Sequence, residues 1–328
     1  MKHFAANALT LLIVGLFAVA GYVFWAMQQW SAAGPLEAPQ RFVVASGASL
    51  QSASTALEAE GVITDASIFR MGARFEKAAT LLKAGEYEIP PSASMEEVLG
   101  IIVSGRSIQY KITIAEGLTS WEVVQLLNAE DLLTGEIAEI PAEGSLAPNT
   151  YFFDRQEKRA TIIRRMQQAQ TRVLDDAWSE RADGLPLNSK EEALTLASIV
   201  EKETGVAAER DIVAGVFINR LNRGMRLQSD PTIIYGITKG QGPLGRGIRR
   251  SEINRATPYN TYVIDRLPPG PIANPGEASI RAVLNPAETT AIFFVADGTG
   301  GHAFADTLRE HERNVAAWRK IERARQNQ

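Results

Sequence analysis

The chain has 328 residues, 45% apolar and 22% charged, which supports a buried core in one large or two smaller domains and argues against disordered, collagen-like or low-complexity classes. Lys and Arg number 34 against 38 Asp and Glu, leaving a formal charge of −4 and no basic stripe of the kind a nucleic-acid binder presents. With no Cys and only His3, His302 and His311, disulfides, thiolate metal sites and Cys nucleophiles drop out, and His-rich metal chemistry is disfavoured.

After Lys2 and His3 no acidic or basic residue occurs until Glu37. Within that gap Ala8 to Met27 is almost wholly apolar, and about 20 such residues match the ~30 Å hydrocarbon core of a bilayer. Tyr22, Trp25 and Trp30 sit toward the far end, where amphipathic rings favour the membrane interface. The basic stub predicts a cytoplasmic amino terminus and a translocated remainder. A rival reading is a cleaved signal peptide, since Ala18-Val19-Ala20 precedes Gly21. The apolar run continues past that point to Met27, which favours a retained anchor.

Gly34 to Pro39 is a Pro-containing linker. A small α+β module follows. A strand is expected at Arg41–Val44, helices at Ser49–Glu60 and Ala66–Phe75, a strand at Gly85–Ile89, a helix opened by Ser94 and closed by Gly105, and a strand at Tyr110–Ile114. The module carries no evident catalytic constellation. From Thr119 the chain reads as mostly helical: Thr119–Leu127, Arg159–Ala182, Asn188–Thr204 and Ala207–Asn222. Gly236–Gly247 reads as a mobile surface loop, Ala291–Val295 as a buried strand and His311–Arg325 as a final charged helix.

Four stretches hold polar groups where packing alone would not place them. Ser198 to Thr204 ends an apolar helix with Glu201-Lys202-Glu203. At ~100° per residue, Glu201 and Glu203 flank the apolar face on opposite sides, so periodicity does not choose between them. A carboxylate at such a margin is either a solvated helix-end charge or a desolvated general acid. Met225 to Thr232 contains Asp230-Pro231, a turn or helix start. Thr257 to Tyr262 alternates Tyr with amide and hydroxyl residues, which suits either a packed turn or a sugar-binding surface. Leu267 to Gly276 is Pro-rich and reads as structural. Gly298-Thr299-Gly300-Gly301 has no following GK[ST], so a phosphate loop is not supported, and no Ser sits in a nucleophile elbow.

The runs LASIVEKET, VFINRL, GMRLQSDPT, TPYNTY, LPPGPIANPG and FVADGTGGHAF, in this order and spacing, resemble the endolytic murein transglycosylases of the MltG/YceG type. The resemblance spans Phe42 to the carboxyl terminus and is dense from Leu196 to Phe304. It implies an α+β protein with an inner-membrane anchor (1–40), a LysM-like subdomain (41–108) and a mostly helical α+β catalytic domain (109–328) in the periplasm. It implies a lytic transglycosylase, a carbon–oxygen lyase that cleaves the MurNAc–GlcNAc β-1,4 bond of nascent strands and leaves 1,6-anhydro ends, with a role as terminase of glycan elongation. By that likeness the catalytic acid is Glu203, and Gln228, Asp230, Tyr235, Asn260 and Tyr262 line the groove. No metal and no cofactor are implied. The implied partners are peptidoglycan glycan strands and, among proteins, peptidoglycan synthases of the penicillin-binding type. The loop up to Arg250 departs from the family pattern. The competing reading is a membrane-tethered glycan-binding scaffold without turnover.

Overall fold

The computed structural model describes residues 2–326, a mixed α+β chain that divides into two compact units. One unit comprises residues 1–111 and 152–157 and the other residues 112–151 and 158–328. In the first, α1 (Lys2–Ser31) is followed by β1 (Gln40–Val44), α2 (Leu50–Ala59), α3 (Ala66–Phe75), β2 (Gly85–Ile89) and α4 (Met95–Ser104). The span Leu9–Ser31 is long and apolar enough to cross a membrane, and most of its side chains are exposed. Strands β1 and β2 pair antiparallel with Phe42 opposite Tyr87. Those two rings, Leu57, Phe69, Val98, Leu99 and Ile102 form a closed core, each 1% exposed or less.

Local chemistry sets these helix ends. Asp65 caps α3 by accepting from the amides of Ser67 (2.7 Å) and Ile68 (2.9 Å). Ser94 and Glu97 form a reciprocal capping box at the start of α4. Gly105 closes α4 at φ 71°, a left-handed conformation that a Cβ would strain.

Strands β3 (Tyr110–Thr113) and β4 (Thr150–Phe153) form a separate two-stranded sheet. The second unit contains α5 (Ser120–Asn128), α6 (Arg159–Ser179), α7 (Lys190–Glu203), a 3-10 turn at Ala207–Glu209, α8 (Arg210–Asn222), α9 (Asp230–Thr238), α10 (Arg250–Ile253), α11 (Glu277–Leu284), the hairpin β5 (Phe293–Ala296) and β6 (His302–Ala305), and α12 (Leu308–Gln326). At its centre is α7, which packs on α6, α8, α9 and α11. Ala193 and every residue from Thr195 to Val200 are 3% exposed or less. The middle of α7 is buried all round, so neighbouring elements and not a solvent face decide the surroundings of its two terminal carboxylates.

Two features depart from the sequence expectations, at Gly236 and after Gly276, while the turn or helix start expected at Asp230-Pro231 is found. Gly236 lies inside α9, so the glycine-rich loop begins only after the left-handed Lys239 (φ 55°). Asp230-Pro231 starts a nine-residue helix, with Pro in the first turn where its missing N–H costs nothing. The segment after Gly276, for which no element was expected, forms α11, which supplies Ile280, Ala282, Val283 and Leu284 to the core around α7.

Candidate active site

The site assembles at the carboxyl end of α7, inside the second unit. Glu203 is the last residue of that helix. Oε1 of Glu203 accepts one hydrogen bond, from Ser229 Oγ at 2.5 Å. Burial pushes the Glu203 carboxyl above the usual carboxylate range, and the nearby Asp230 charge adds to the rise. The Ser229 hydroxyl, Arg220 and His302 oppose it. The last turn of α7 also carries the negative end of the helix dipole, which disfavours an anion there.

Ser229 is held in place by a buried network. It occupies the N-cap position of α9, yet its side chain makes no capping bond and is directed to Glu203 instead. Its amide donates to Thr261 Oγ1 (2.9 Å), and its carbonyl accepts from Thr232 Oγ1 (2.6 Å). Ser229, Thr232 and Thr261 are fully buried. The residue before them, Gln228, adopts φ 52°, a left-handed conformation that costs a non-glycine residue of order 1 kcal/mol. Its amide donates to the Thr261 carbonyl, which ties this strained turn to the same network.

Asp230 is exposed, and its Oδ1 accepts from the Tyr262 hydroxyl at 2.7 Å. Burial and the neighbouring Asp230 and Glu203 carboxylates push the Tyr262 phenol far above its usual value, so it stays a donor. Arg220, 6% exposed, lies behind Glu203. Its Nε donates to the Ile292 carbonyl at 2.7 Å and another guanidinium nitrogen donates to the Leu227 carbonyl. Those bonds lock a buried cation beside the carboxyl. His302 is fixed from β6 by Glu209, with Nδ1 2.7 Å from its carboxylate.

A second polar cluster lies further along α9. Tyr235 packs against Tyr259 in a tilted pair with ring centroids 4.9 Å apart and donates to Glu143. Glu143 also accepts from the Ser120 amide (2.8 Å), and burial holds its carboxyl above the usual range. Tyr235 borders a cavity of about 340 Å³ whose other walls include Thr119, Glu122, Lys202, Pro231 and Leu244.

The residues expected from sequence therefore divide. Glu203, Asp230 and Tyr262 come together around Ser229, with exposed Gln228 in the turn just before it. Tyr235 belongs to the neighbouring cavity. Asn260 departs from the expectation of a groove residue. It is 1% exposed and its amide nitrogen donates to the carbonyls of Glu252, Ile253 and Arg255, so its hydrogen-bonding capacity is used in holding the turn that carries Tyr259 and Tyr262. Sequence reasoning missed Ser229 and Arg220 as site residues, although both sit inside the quoted runs GMRLQSDPT and VFINRL. It also missed Glu143, which no motif surrounds.

Glu201, two residues before Glu203, faces elsewhere. Its Oε2 accepts from the Gly276 amide (3.0 Å) and Ser279 Oγ (2.8 Å), capping the start of α11.

The chain is similar to several known proteins. It is 31% identical over 319 residues to an endolytic murein transglycosylase of Streptococcus pneumoniae, with 82% of this chain and 56% of that protein covered. It thus spans about half the length of that relative. A Bacillus subtilis endolytic murein transglycosylase is 28% identical, with 82% of each chain covered. The crystal structure of a yceG-like protein from Listeria monocytogenes superposes with a TM-score of 0.52 at 28% identity, covering 84% of this chain and 98% of that one. The model of the YceG-like family matches residues 42–317, which takes in both the small module and every side chain of the site, and the chain belongs to that family.

Proposed function

We propose that the protein is a membrane-anchored lytic transglycosylase acting on peptidoglycan glycan strands, with Glu203 as its acid and base. The observation that carries this reading is a carboxyl with a raised pKa, buried at a helix end and held by one short hydrogen bond from Ser229. A carboxyl that holds its proton above the ordinary carboxylate range is what a general acid requires. Ordinary glycosidases use two carboxylates flanking the scissile bond. A lytic reaction needs one, because the substrate supplies the nucleophile.

In the first step Glu203 transfers its proton to the glycosidic oxygen as the C1–O bond of N-acetylmuramic acid breaks. The leaving N-acetylglucosamine end departs as an alcohol. The sugar's own 6-hydroxyl oxygen then bonds to C1, and its proton passes to the Glu203 carboxylate. A 1,6-anhydro ring forms, no water is consumed and the acid is regenerated. Ser229 stabilises the carboxylate between the two transfers, and Asp230, steadied by Tyr262, places negative charge beside the developing cation. Proton transfer of this kind contributes about 10²–10⁴-fold.

The same reading assigns α1 to the inner membrane with the bulk of the chain in the periplasm, residues 41–108 to a LysM-like glycan-binding role and residues 109–328 to catalysis. Termination of strand growth beside a peptidoglycan synthase fits an enzyme tethered at the membrane where strands emerge. Digestion of purified glycan strands, followed by mass analysis, tests the chemistry. The wild-type protein yields 1,6-anhydro ends and Glu203→Gln yields at least ~10²-fold fewer. Reducing ends from simple hydrolysis, or equal products from both proteins, overturn the mechanism.

A further inference from the structure

The outer end of α1 does not run free of the small module. Ala26 is 5% exposed, and Trp30 packs against α3, its ring centroid 6.0 Å from that of Phe69. Gly72 makes this approach possible, since a Cβ there would fall 2.5 Å from the Trp30 ring. The opposite face of α1 stays apolar and exposed to Met27, which is 60% exposed. Helix α3 is therefore fixed at the level where the apolar span ends.

At that level α3 exposes large apolar side chains that serve no packing role. Phe75 is 85% exposed and Met71 42%. At ~100° per residue Phe75 falls between Met71 and Gly72 on the helix wheel, so the exposed stripe is continuous with the face that touches α1. Leu81, in the following loop, is 52% exposed. Arg74, Lys77 and Lys83 border these residues against a single carboxylate, Glu76, and all four are exposed. Among the described residues, Arg74 and Lys77 make no ion pair. An aromatic and aliphatic tip rimmed by cations matches a bilayer surface with anionic headgroups. The apolar groups enter the acyl boundary while the cations remain at the phosphates.

Resting on the reading of α1 as a membrane span, we infer that the end of α3 and the loop to Lys83 form a second membrane contact, seated in the anionic outer face of the same bilayer. Two contacts, one spanning and one interfacial, fix the orientation of the small module instead of leaving it on a swivel. Gly34-Pro35 then begins the folded chain at the membrane surface.

The absence of Cys makes the test direct. Single cysteines are placed at exposed Thr80 within the patch, at exposed Gln51 on α2, and at Leu16 within α1. Each full-length protein is labelled with an environment-sensitive fluorophore and reconstituted in phosphatidylethanolamine–phosphatidylglycerol vesicles carrying nitroxide lipids at both shallow and deep acyl positions. The expected result is strong quenching at 16, quenching at 80 about twofold or more above that at 51, and loss of the excess at 80 in Phe75→Ser or in the Arg74→Glu/Lys77→Glu pair. Both variants alter exposed side chains and leave quenching at 16 unchanged. Quenching at 80 no greater than at 51, with 16 quenched, overturns the interfacial contact alone. A label at 80 shielded from aqueous iodide yet untouched by the lipid nitroxide places a second copy or another partner on the patch and also overturns it. No quenching at 16 removes the span itself, and the proposal falls with it.

Discussion

The two sides of the last turn of α7 present the same residue type in opposite circumstances. On one side Glu201 meets the amide of Gly276 and the hydroxyl of Ser279, two donors waiting at the start of α11. On the other, Glu203 meets a single hydroxyl and the repelling charge of Asp230. A half-buried carboxylate with matched donors is a structural joint. One with fewer donors, a like charge nearby and the negative end of its own helix keeps its proton more readily, as the proposed acid must. The difference lies in what α9 and α11 bring to each side.

The largest effect that tests this comparison is expected at Glu203. Glu203→Gln keeps the shape and an acceptor for Ser229 but carries no transferable proton. Formation of anhydro ends should fall by at least ~10²-fold while the fold and glycan binding persist. Stability should move the other way. The folded-state pKa of Glu203 lies above the ordinary value of about 4.3, so the folded protein holds this proton more tightly than the unfolded chain. Ionising the buried carboxyl therefore costs stability once pH rises through that window, and below it the cost vanishes. Thermal unfolding should show Glu203→Gln more stable than wild type at pH 7 and equal to it at pH 3. A variant less stable at both pH values would mean that Glu203 is a structural group like Glu201.

Glu201→Gln should reverse the pattern at smaller scale. The amide oxygen still accepts, but charge assistance to the Gly276 amide and Ser279 is lost. Stability should fall by about 1 kcal/mol, read from urea unfolding, with cleavage within about threefold of wild type. Loss of cleavage matching that of Glu203→Gln would show that the two roles had been exchanged.

How much of this was legible beforehand follows from range. Caps such as Asp65, Ser94 and Thr119 are decided within four residues, and α3, α4 and α5 begin where those residues stand. The α1 span was legible because length and apolarity are local properties. The choice between Glu201 and Glu203 depends on α9 and α11, which lie 27 and 74 residues further on, and no periodicity within α7 encodes it. That choice came from resemblance, and the contacts supply a physical reason for it. Ser229 was hidden for another reason. A serine before Asp-Pro reads as an N-cap, and only the fold turns its hydroxyl away from the helix and onto Glu203. Asn260 misled in the opposite sense, because a polar residue between two tyrosines looks like a groove until its amide is found bonded to three carbonyls.

The smallest expected effect is the most specific to the Glu203 side. Asp230 raises the Glu203 pKa and the Ser229 hydroxyl lowers it. The acid must be protonated to act, so cleavage declines as pH rises through the folded pKa of Glu203. Removing the like charge in Asp230→Asn should move that alkaline limb to lower pH. Removing the hydroxyl in Ser229→Ala should move it to higher pH. The maximal rate should also fall by about tenfold in Ser229→Ala, because the carboxylate formed between the two proton transfers loses its donor. Shifts of a few tenths to about one pH unit are in range for single neighbours, and rates of anhydro-end formation across pH 4–9 would read them. The opposed signs discriminate between mechanisms. If both variants merely lower the rate at every pH, the limb belongs to some other group and the proton carrier is not Glu203.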